Sequence, residues 1–219
     1  MNISKNVDKV RRNIELVAAD GRNVNIVAAT KYVGVQQIKD LFACGITMMG
    51  ENRVDALLEK KSQISLPIEW HFIGTLQSRK VKEVINEISC LHSLDRLSLA
   101  KEIQKYRREP LPCFIQVNVS KEESKHGIDV DEVISFLEAL QSYPIIKVVG
   151  LMTMAPNTDD PTVIRRCFKG LKQLQERIAT LNQGGVTCDR LSMGMSQDYM
   201  IAIEEGATHI RLGSILFQD

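Results

Sequence analysis

The chain has 219 residues, with 28 Lys and Arg against 27 Asp and Glu, a net charge of +1. At about 150 residues per domain that is one to two domains, near the lower end for a closed (β/α)8 barrel. Near-neutrality excludes the strong field needed to hold nucleic acid or a membrane surface. Apolar residues at 44% and charged residues at 25% describe an ordinary globular chain. The start, MNISKNVDKVRRN, lacks the apolar core of a secretory signal, and no apolar run reaches membrane-spanning length. Five Cys (Cys44, Cys90, Cys113, Cys167 and Cys188) without a CxxC pair predict reduced thiols, no metal module and a cytoplasmic setting.

The chain shows alternation rather than linkers, so residues 1–219 are read as one domain. Residues 4–19 predict an opening helix with Ser4 as N-cap and Val7, Val10, Ile14 and Val17 on one face. Strand 24–30 follows and ends at Lys31, then helix 35–43, stopped by Gly45. Strand 46–50, helix 52–62, strand 70–73, helix 78–87 and strand 89–94 come next. Asp95 is read as the cap of a helix to Arg108. CFIQVNV (113–119) is the clearest strand; the polar loop SKEESKHG (120–127) follows. Asp129 with Glu132 suggests a capping arrangement for helix 130–141. Strand 145–152 precedes a long helix opened by Asp160-Pro161, whose stripe runs Ile164, Cys167, Phe168, Leu171, Leu174, Ile178, Leu181. Strand 189–193, helix 197–205 and strand 208–213 complete the series. Eight strands alternating with helices predict an α/β fold, a TIM-type (β/α)8 barrel with an extra N-terminal helix that can cover one end. An open doubly wound sheet would carry GxGxxG after its first strand, and the chain has none.

Such barrels work at the C-terminal ends of their strands. Lys31 stands there after the first strand. Taken alone it reads as a surface lysine; in a partly desolvated mouth its amine would be freed to attack a carbonyl and form a Schiff base. Ser196, expected to open a helix after strand seven, and Gly213-Ser214 after strand eight fall where barrels cradle phosphate. Individually these are an N-cap and a turn; together they point to a phosphate. Arg211, between Ile210 and Leu212, needs either a carboxylate partner or a ligand acceptor. His71, His92, His126 and His209 show no metal-ligand spacing and read as structural or surface. Met48, Met49, Met152, Met154, Met193 and Met195 read as core or mouth filler, Trp70 as a packing anchor, and Tyr106-Arg107-Arg108 as a solvated helix end. A Schiff-base lysine plus a phosphate cradle fits pyridoxal phosphate, and also a phosphosugar of the kind aldolases bind.

The motifs AATK (28–31), GENRVD (50–55), WHFIGTLQSRK (70–80), FIQVN (114–118), EESKHG (122–127), GLMTM (150–154), LSMGMSQDY (191–199) and IRLGSILF (210–217) cover nearly the whole chain. In this order the sequence resembles the pyridoxal phosphate homeostasis proteins, relatives of the alanine racemase barrel domain. The resemblance implies pyridoxal phosphate held as a Schiff base on Lys31, phosphate contacts from Ser196 and the backbone of Gly213 and Ser214, Arg211 facing the pyridine nitrogen, and Asn52 as a neighbour. The chain departs from the family pattern at Ser214, where Thr is usual, at Gln218, where Gly is usual, and at Arg79, where Asn is usual.

The resemblance implies a monomeric role in cofactor homeostasis and delivery without robust turnover, with apo forms of pyridoxal phosphate enzymes as candidate recipients. The residues agree: an arginine stays protonated and cannot hand the ring nitrogen a proton as an acid would, leaving a poorer electron sink. The chain also stops after strand eight, so no second domain is expected to bring an opposing base. A racemase-like enzyme and a phosphosugar aldolase are the competing readings.

Overall fold

The computed structural model describes residues 2–18, 20–122, 126–181 and 186–218. Eight parallel strands form the centre: β1 (Asn25–Ala29), β2 (Met48–Glu51), β3 (Glu69–Phe72), β4 (Cys90–Leu94), β5 (Leu111–Asn118), β6 (Ile146–Met152), β7 (Arg190–Ser192) and β8 (His209–Leu212). Each pairs with its chain neighbours, β1 also pairs with β8, and a β4–β5 pairing completes the ring. The barrel is therefore closed, as the alternation predicts. A two-residue strand, Ile128–Asp129, adds to the end of β5 where the sequence suggests a direct run from loop to helix. The middle of the 120–127 loop, residues 123–125, lies outside the described residues.

Eight helices surround the ring: α1 (Ile3–Val17), α2 (Val35–Ala43), α3 (Val54–Ser62), α4 (Val81–Val84), α5 (Leu97–Tyr106), α6 (Val133–Leu140), α7 (Pro161–Ala179) and α8 (Tyr199–Glu204). After β8 the described residues form a 3-10 turn, Ser214–Leu216. The N-terminal helix takes the vacant place: α1 packs against α2, α8 and that turn. It buries Ile3, Val7 and Val10, while Asn13 Nδ2 donates to the Tyr199 hydroxyl at 2.7 Å and Asn6 Nδ2 to the Leu216 carbonyl at 3.2 Å. The helix thus completes the outer layer rather than capping an end of the cylinder.

Several helix boundaries differ from the sequence reading, each for a local reason. Asn2, not Ser4, caps α1 by accepting from Lys5 N at 3.0 Å. Arg96, not Asp95, is the N-cap of α5, because Asp95 is paired with the Arg96 guanidinium at 2.8 Å. Residues 130–132 form a 3-10 turn and Asp129 makes no side-chain cap. The 78–87 helix shrinks to a 3-10 turn plus α4, and the carbonyls of Ile85 and Ile88 beyond it accept from Arg107 Nη1. Arg107 is therefore a clamp between segments and not part of a solvated helix end. Asp160-Pro161 opens α7 as expected, with Asp160 Oδ1 accepting from Thr162 N at 2.8 Å. Gly45 ends α2 with φ +78°, a conformation that suits glycine.

Paired residues of parallel strands face the same side of the sheet, and successive residues alternate. The register Ala29–Gly50–His71–Cys90, with Val27–Arg211 and Asn25–His209–Ser192, therefore marks the barrel interior. The opposite parity (Ala28, Met49, Trp70, Phe72, Leu91, Ile115, Val117) faces the helices and is fully or nearly fully buried. Trp70 is the packing anchor expected of it. Met49, Met152 and Met193 fill the core, while Met195 stays 39% exposed. None of the five Cys forms a disulfide among the described residues.

Candidate functional site

The C-terminal ends of β1 and β8 are adjacent, because Ala28 pairs with Leu212. The segments carrying Lys31 and Gly213-Ser214 consequently leave the barrel side by side. Gly213 sits so close to β1 that a Cβ on it would lie 3.6 Å from Ala29 Cβ. Ser196, from the loop after β7, joins them: its Oγ accepts from the backbone N–H of Gly213 at 3.1 Å and of Ile215 at 3.4 Å. Ser196 does not open a helix, because α8 starts at Tyr199 with Asp198 as N-cap. It lies in the turn before it, held by Asp198 Oδ1, which accepts from Met195 N at 2.6 Å. Gly194 enters that turn at φ +96°, where a Cβ would also meet the Ala202 methyl at 2.6 Å. The N–H groups of Ser196, Gln197 and Ser214 make no hydrogen bond among the described residues. Free N–H groups gathered at one rim form a concavity suited to an anion.

Arg211 lies below this rim on β8, 5% exposed. Its guanidinium donates to Ser192 Oγ at 2.7 Å and to the Thr153 carbonyl at 3.0 Å, both neutral acceptors. Burial pulls its pKa down to about 10, and Asp198 opposes that shift from a distance. At that value it still holds its proton at neutral pH. The carboxylate partner weighed from sequence is not among its hydrogen-bond partners.

Lys31 stands at the same rim and is exposed, so the desolvated mouth expected around its amine is not what surrounds it. Its Nζ lies 4.9 Å from the ring centroid of Tyr32, itself 88% exposed. Asn52 follows β2, next along the rim, also exposed. Its backbone packs on Gly74 so closely that a Cβ there would come within 2.6 Å of the Asn52 carbonyl oxygen. The described contacts join Ser196 to Gly213 and leave Lys31 and Asn52 as rim neighbours without a direct bond to them.

The sequence reading missed the barrel floor. His71, His92 and His209, scattered along the chain, meet inside the cylinder. His71 Nδ1 and His92 Nε2 are 2.8 Å apart, His92 Nδ1 and Ser192 Oγ 2.7 Å, and Ser192 Oγ also accepts from Arg211. Phe114 stacks on His92 with ring centroids 4.5 Å apart. Desolvation holds the imidazoles neutral: His71 falls to about 3, His209 to about 4, and His92 falls well below its ordinary value. Arginine can only donate. If Ser192 then spends its one proton on His92, the chain runs in one direction from Arg211 to His71. Cys90 completes a group in which His71, Cys90 and His92 have ligand atoms within 4.8 Å of one another. There the facing imidazole nitrogens are already bonded to each other, and burial pushes the thiol up. Strand parity was the available signal, since His71, His92, Ser192, His209 and Arg211 all fall on the inward register.

A concavity of about 640 Å³ lies at the other end of the barrel, lined by residues that include Arg11, Arg22, Asn25 and Thr47. Its cations are already partnered: Arg11 donates to the Cys44 carbonyl, and Arg22 to Asp20 and the Ile203 carbonyl. Arg22 Nε alone of these guanidinium nitrogens is buried without a partner among the described residues.

Comparison with known proteins identifies the family of the chain. The family model of the alanine racemase N-terminal domain matches residues 5–219. A pyridoxal phosphate homeostasis protein from Aquifex aeolicus is 36% identical, covering 98% of this chain and 95% of its own. A solved structure from Bifidobacterium adolescentis superposes with a TM-score of 0.91 at 31% identity, over 98% of this chain and 94% of that one. PipY of Synechococcus elongatus, solved with pyridoxal phosphate bound, shares the fold at a TM-score of 0.87 and 24% identity, over 99% of this chain and all of its own. The closed barrel and these full-length likenesses agree, and the chain belongs to the pyridoxal phosphate homeostasis family within the alanine racemase N-terminal-domain fold.

Proposed function

We propose that this protein binds pyridoxal 5'-phosphate at the C-terminal rim of its barrel and serves in keeping and delivering that cofactor, without robust turnover. The observation that carries the reading is the convergence at one rim of Lys31, the free N–H groups of Ser196, Gln197 and Ser214, and the buried cation Arg211. Ser196 and the backbone of Gly213 and Ser214 would hold the phosphate. Lys31 would take the aldehyde as a Schiff base, its amine nitrogen bonding the carbonyl carbon with loss of one water. Asn52 would border the ring. The Aquifex relative's name and the ligand-bound PipY structure support the same cofactor. When bound, that cofactor supplies an aldehyde and an electron-accepting ring.

Arg211 argues against turnover. With its pKa near 10 it is a cation at neutral pH, and facing the ring nitrogen it would donate a hydrogen bond rather than hand over a proton. That arrangement would weaken the ring as an electron sink, which favours storage over carbanion chemistry. Recipients would be apo forms of enzymes that use the cofactor, and the protein would act as a monomer in the cytoplasm.

The test is borohydride reduction of the protein incubated with pyridoxal phosphate, followed by peptide mapping. The adduct is expected on Lys31, and Lys31→Ala should lose it while retaining phosphate-driven binding. An adduct on another lysine in that variant would overturn the assignment. Amino acids incubated with the loaded protein in heavy water should keep their α-hydrogen; rapid exchange would move the racemase-like reading to the front.

A further inference from the structure

The layer between barrel and helices is largely apolar, and a buried ion pair lies in it directly behind Lys31. Glu51, at the end of β2, is fully buried there and pairs with Lys60 of α3 at 2.5 Å. Both reach the same residue. Thr30 Oγ1 donates to Glu51 Oε1 at 2.6 Å, and Lys60 Nζ donates to the Thr30 carbonyl at 2.6 Å. Thr30 N–H is bound to the Gly50 carbonyl at 2.9 Å. Every polar group of Thr30 is thereby engaged, one residue before Lys31. The Thr30 carbonyl also accepts from Val33 N at 3.1 Å, which closes the turn that carries Lys31 and Tyr32.

A staple for α3 alone does not account for this arrangement. Apolar residues of similar volume would fix a helix on a barrel at no desolvation cost, and buried ion pairs are often neutral or worse for stability. Moreover Glu51 Oε2 is buried without a hydrogen-bond partner among the described residues, a standing penalty that a purely structural pair would be free to avoid. What the pair adds over an apolar contact is direction. It fixes the plane of the peptide joining residues 30 and 31. Since Thr30 has outward parity and the next position inward parity, that plane sets which way Lys31 leaves the strand.

We propose that Glu51 and Lys60 are positioning residues for Lys31, holding the Thr30–Lys31 peptide from behind so that the amine emerges over the barrel mouth. The inference rests on the reading of Lys31 as the cofactor lysine. The pair makes no described bond to the Lys31 amine and acts through Thr30.

The test compares wild type with the double variant Glu51→Leu/Lys60→Met, which removes both charges together and so leaves no buried charge unpaired, and with the single variant Glu51→Gln. Three quantities are read on the full chain: urea stability, affinity for pyridoxine 5'-phosphate (which carries the phosphate but no aldehyde), and the rate of borohydride-trappable adduct formation at Lys31 with pyridoxal phosphate. The double variant should keep its stability and its affinity for the aldehyde-free ester, while adduct formation slows by about tenfold or more, as misplacement of a reacting group does. Glu51→Gln, which retains an acceptor for Thr30 and a partner for Lys60, should recover most of the rate. Equal adduct rates in wild type and double variant would overturn the proposal, as would a parallel loss of both ligands. If the double variant does not fold, Glu51→Gln against Glu51→Ala decides, with equal rates overturning the proposal. Wild type forming no adduct at Lys31 would overturn the cofactor reading itself, and that failure is visible in the wild-type arm alone.

Discussion

The two faces of the barrel strands are built on opposite plans. Outward residues are almost wholly apolar (Ala28, Met49, Trp70, Phe72, Leu91, Ile115), and the helices bury them. The inward register holds His71, His92, Gln116, Ser192, His209 and Arg211, all 5% exposed or less. The outward layer is held by the hydrophobic effect, which is non-directional and roughly proportional to area. The inward set is held by hydrogen bonds, which are directional and costly to leave unmade. The outward layer thus contributes through buried area, and the inward set through directional contacts. The Glu51–Lys60 pair brings a charged, directional contact into the outer layer where Lys31 departs.

Acid should break the comparison most strongly. The inward imidazoles have folded-state pKa values below those of the unfolded chain, about 3 for His71 and about 4 for His209. The unfolded chain therefore takes up protons first. The stability they confer is complete above pH about 6.5 and is lost as pH falls toward those folded values, at about 1.4 kcal/mol per pH unit for each imidazole. Urea midpoints from pH 7 to pH 4 should fall accordingly, and His209→Gln should flatten the slope by one proton. A flat profile in the wild type would mean that the inward set does not stay neutral.

Phe72→Ala should come next. It removes a fully buried ring from the outward layer and should cost about 3–5 kcal/mol in urea unfolding at pH 7, with little change in acid sensitivity. Ser192→Ala should cost less, about 1–3 kcal/mol, because it removes the hydroxyl shared by His92 and Arg211 and strands both partners. Ser196→Ala should barely alter folding yet weaken cofactor retention by about 1–2 kcal/mol, read by equilibrium dialysis, if the hydroxyl gives one charge-assisted bond to phosphate. Lys80→Ala, breaking an exposed pair with Glu83, should fall below about 0.5 kcal/mol and serves as the baseline.

Much of this architecture is legible along the chain. Strands buried on both faces read as near-continuous apolar runs, so CFIQVNV and VNIVAAT declare themselves, and eight such runs separated by helical stripes specify a parallel barrel. The polar and small residues ending those runs mark the working rim, since strand direction puts all those ends on one side. Ser196 and Gly213 stand out on that basis, and they meet at 3.1 Å.

What the chain order could not yield was contact across the ring. His71, His92, Ser192 and Arg211 come from four strands, and only the closure and register of the barrel bring them into one hydrogen-bonded line. The Glu51–Lys60 pair is hidden for a similar reason: a Glu after Gly and a Lys on a helix both read as surface until the packing of α3 on β2 removes their water. The exposure of Lys31 and the place of α1 beside α8 were likewise decided by packing. Local sequence determined the elements, their order and the rim they point to, because backbone propensity and hydrophobic periodicity are short-range. Tertiary structure alone decided which polar groups share a low-dielectric space, because burial and hydrogen-bond partnership depend on residues far apart in the chain.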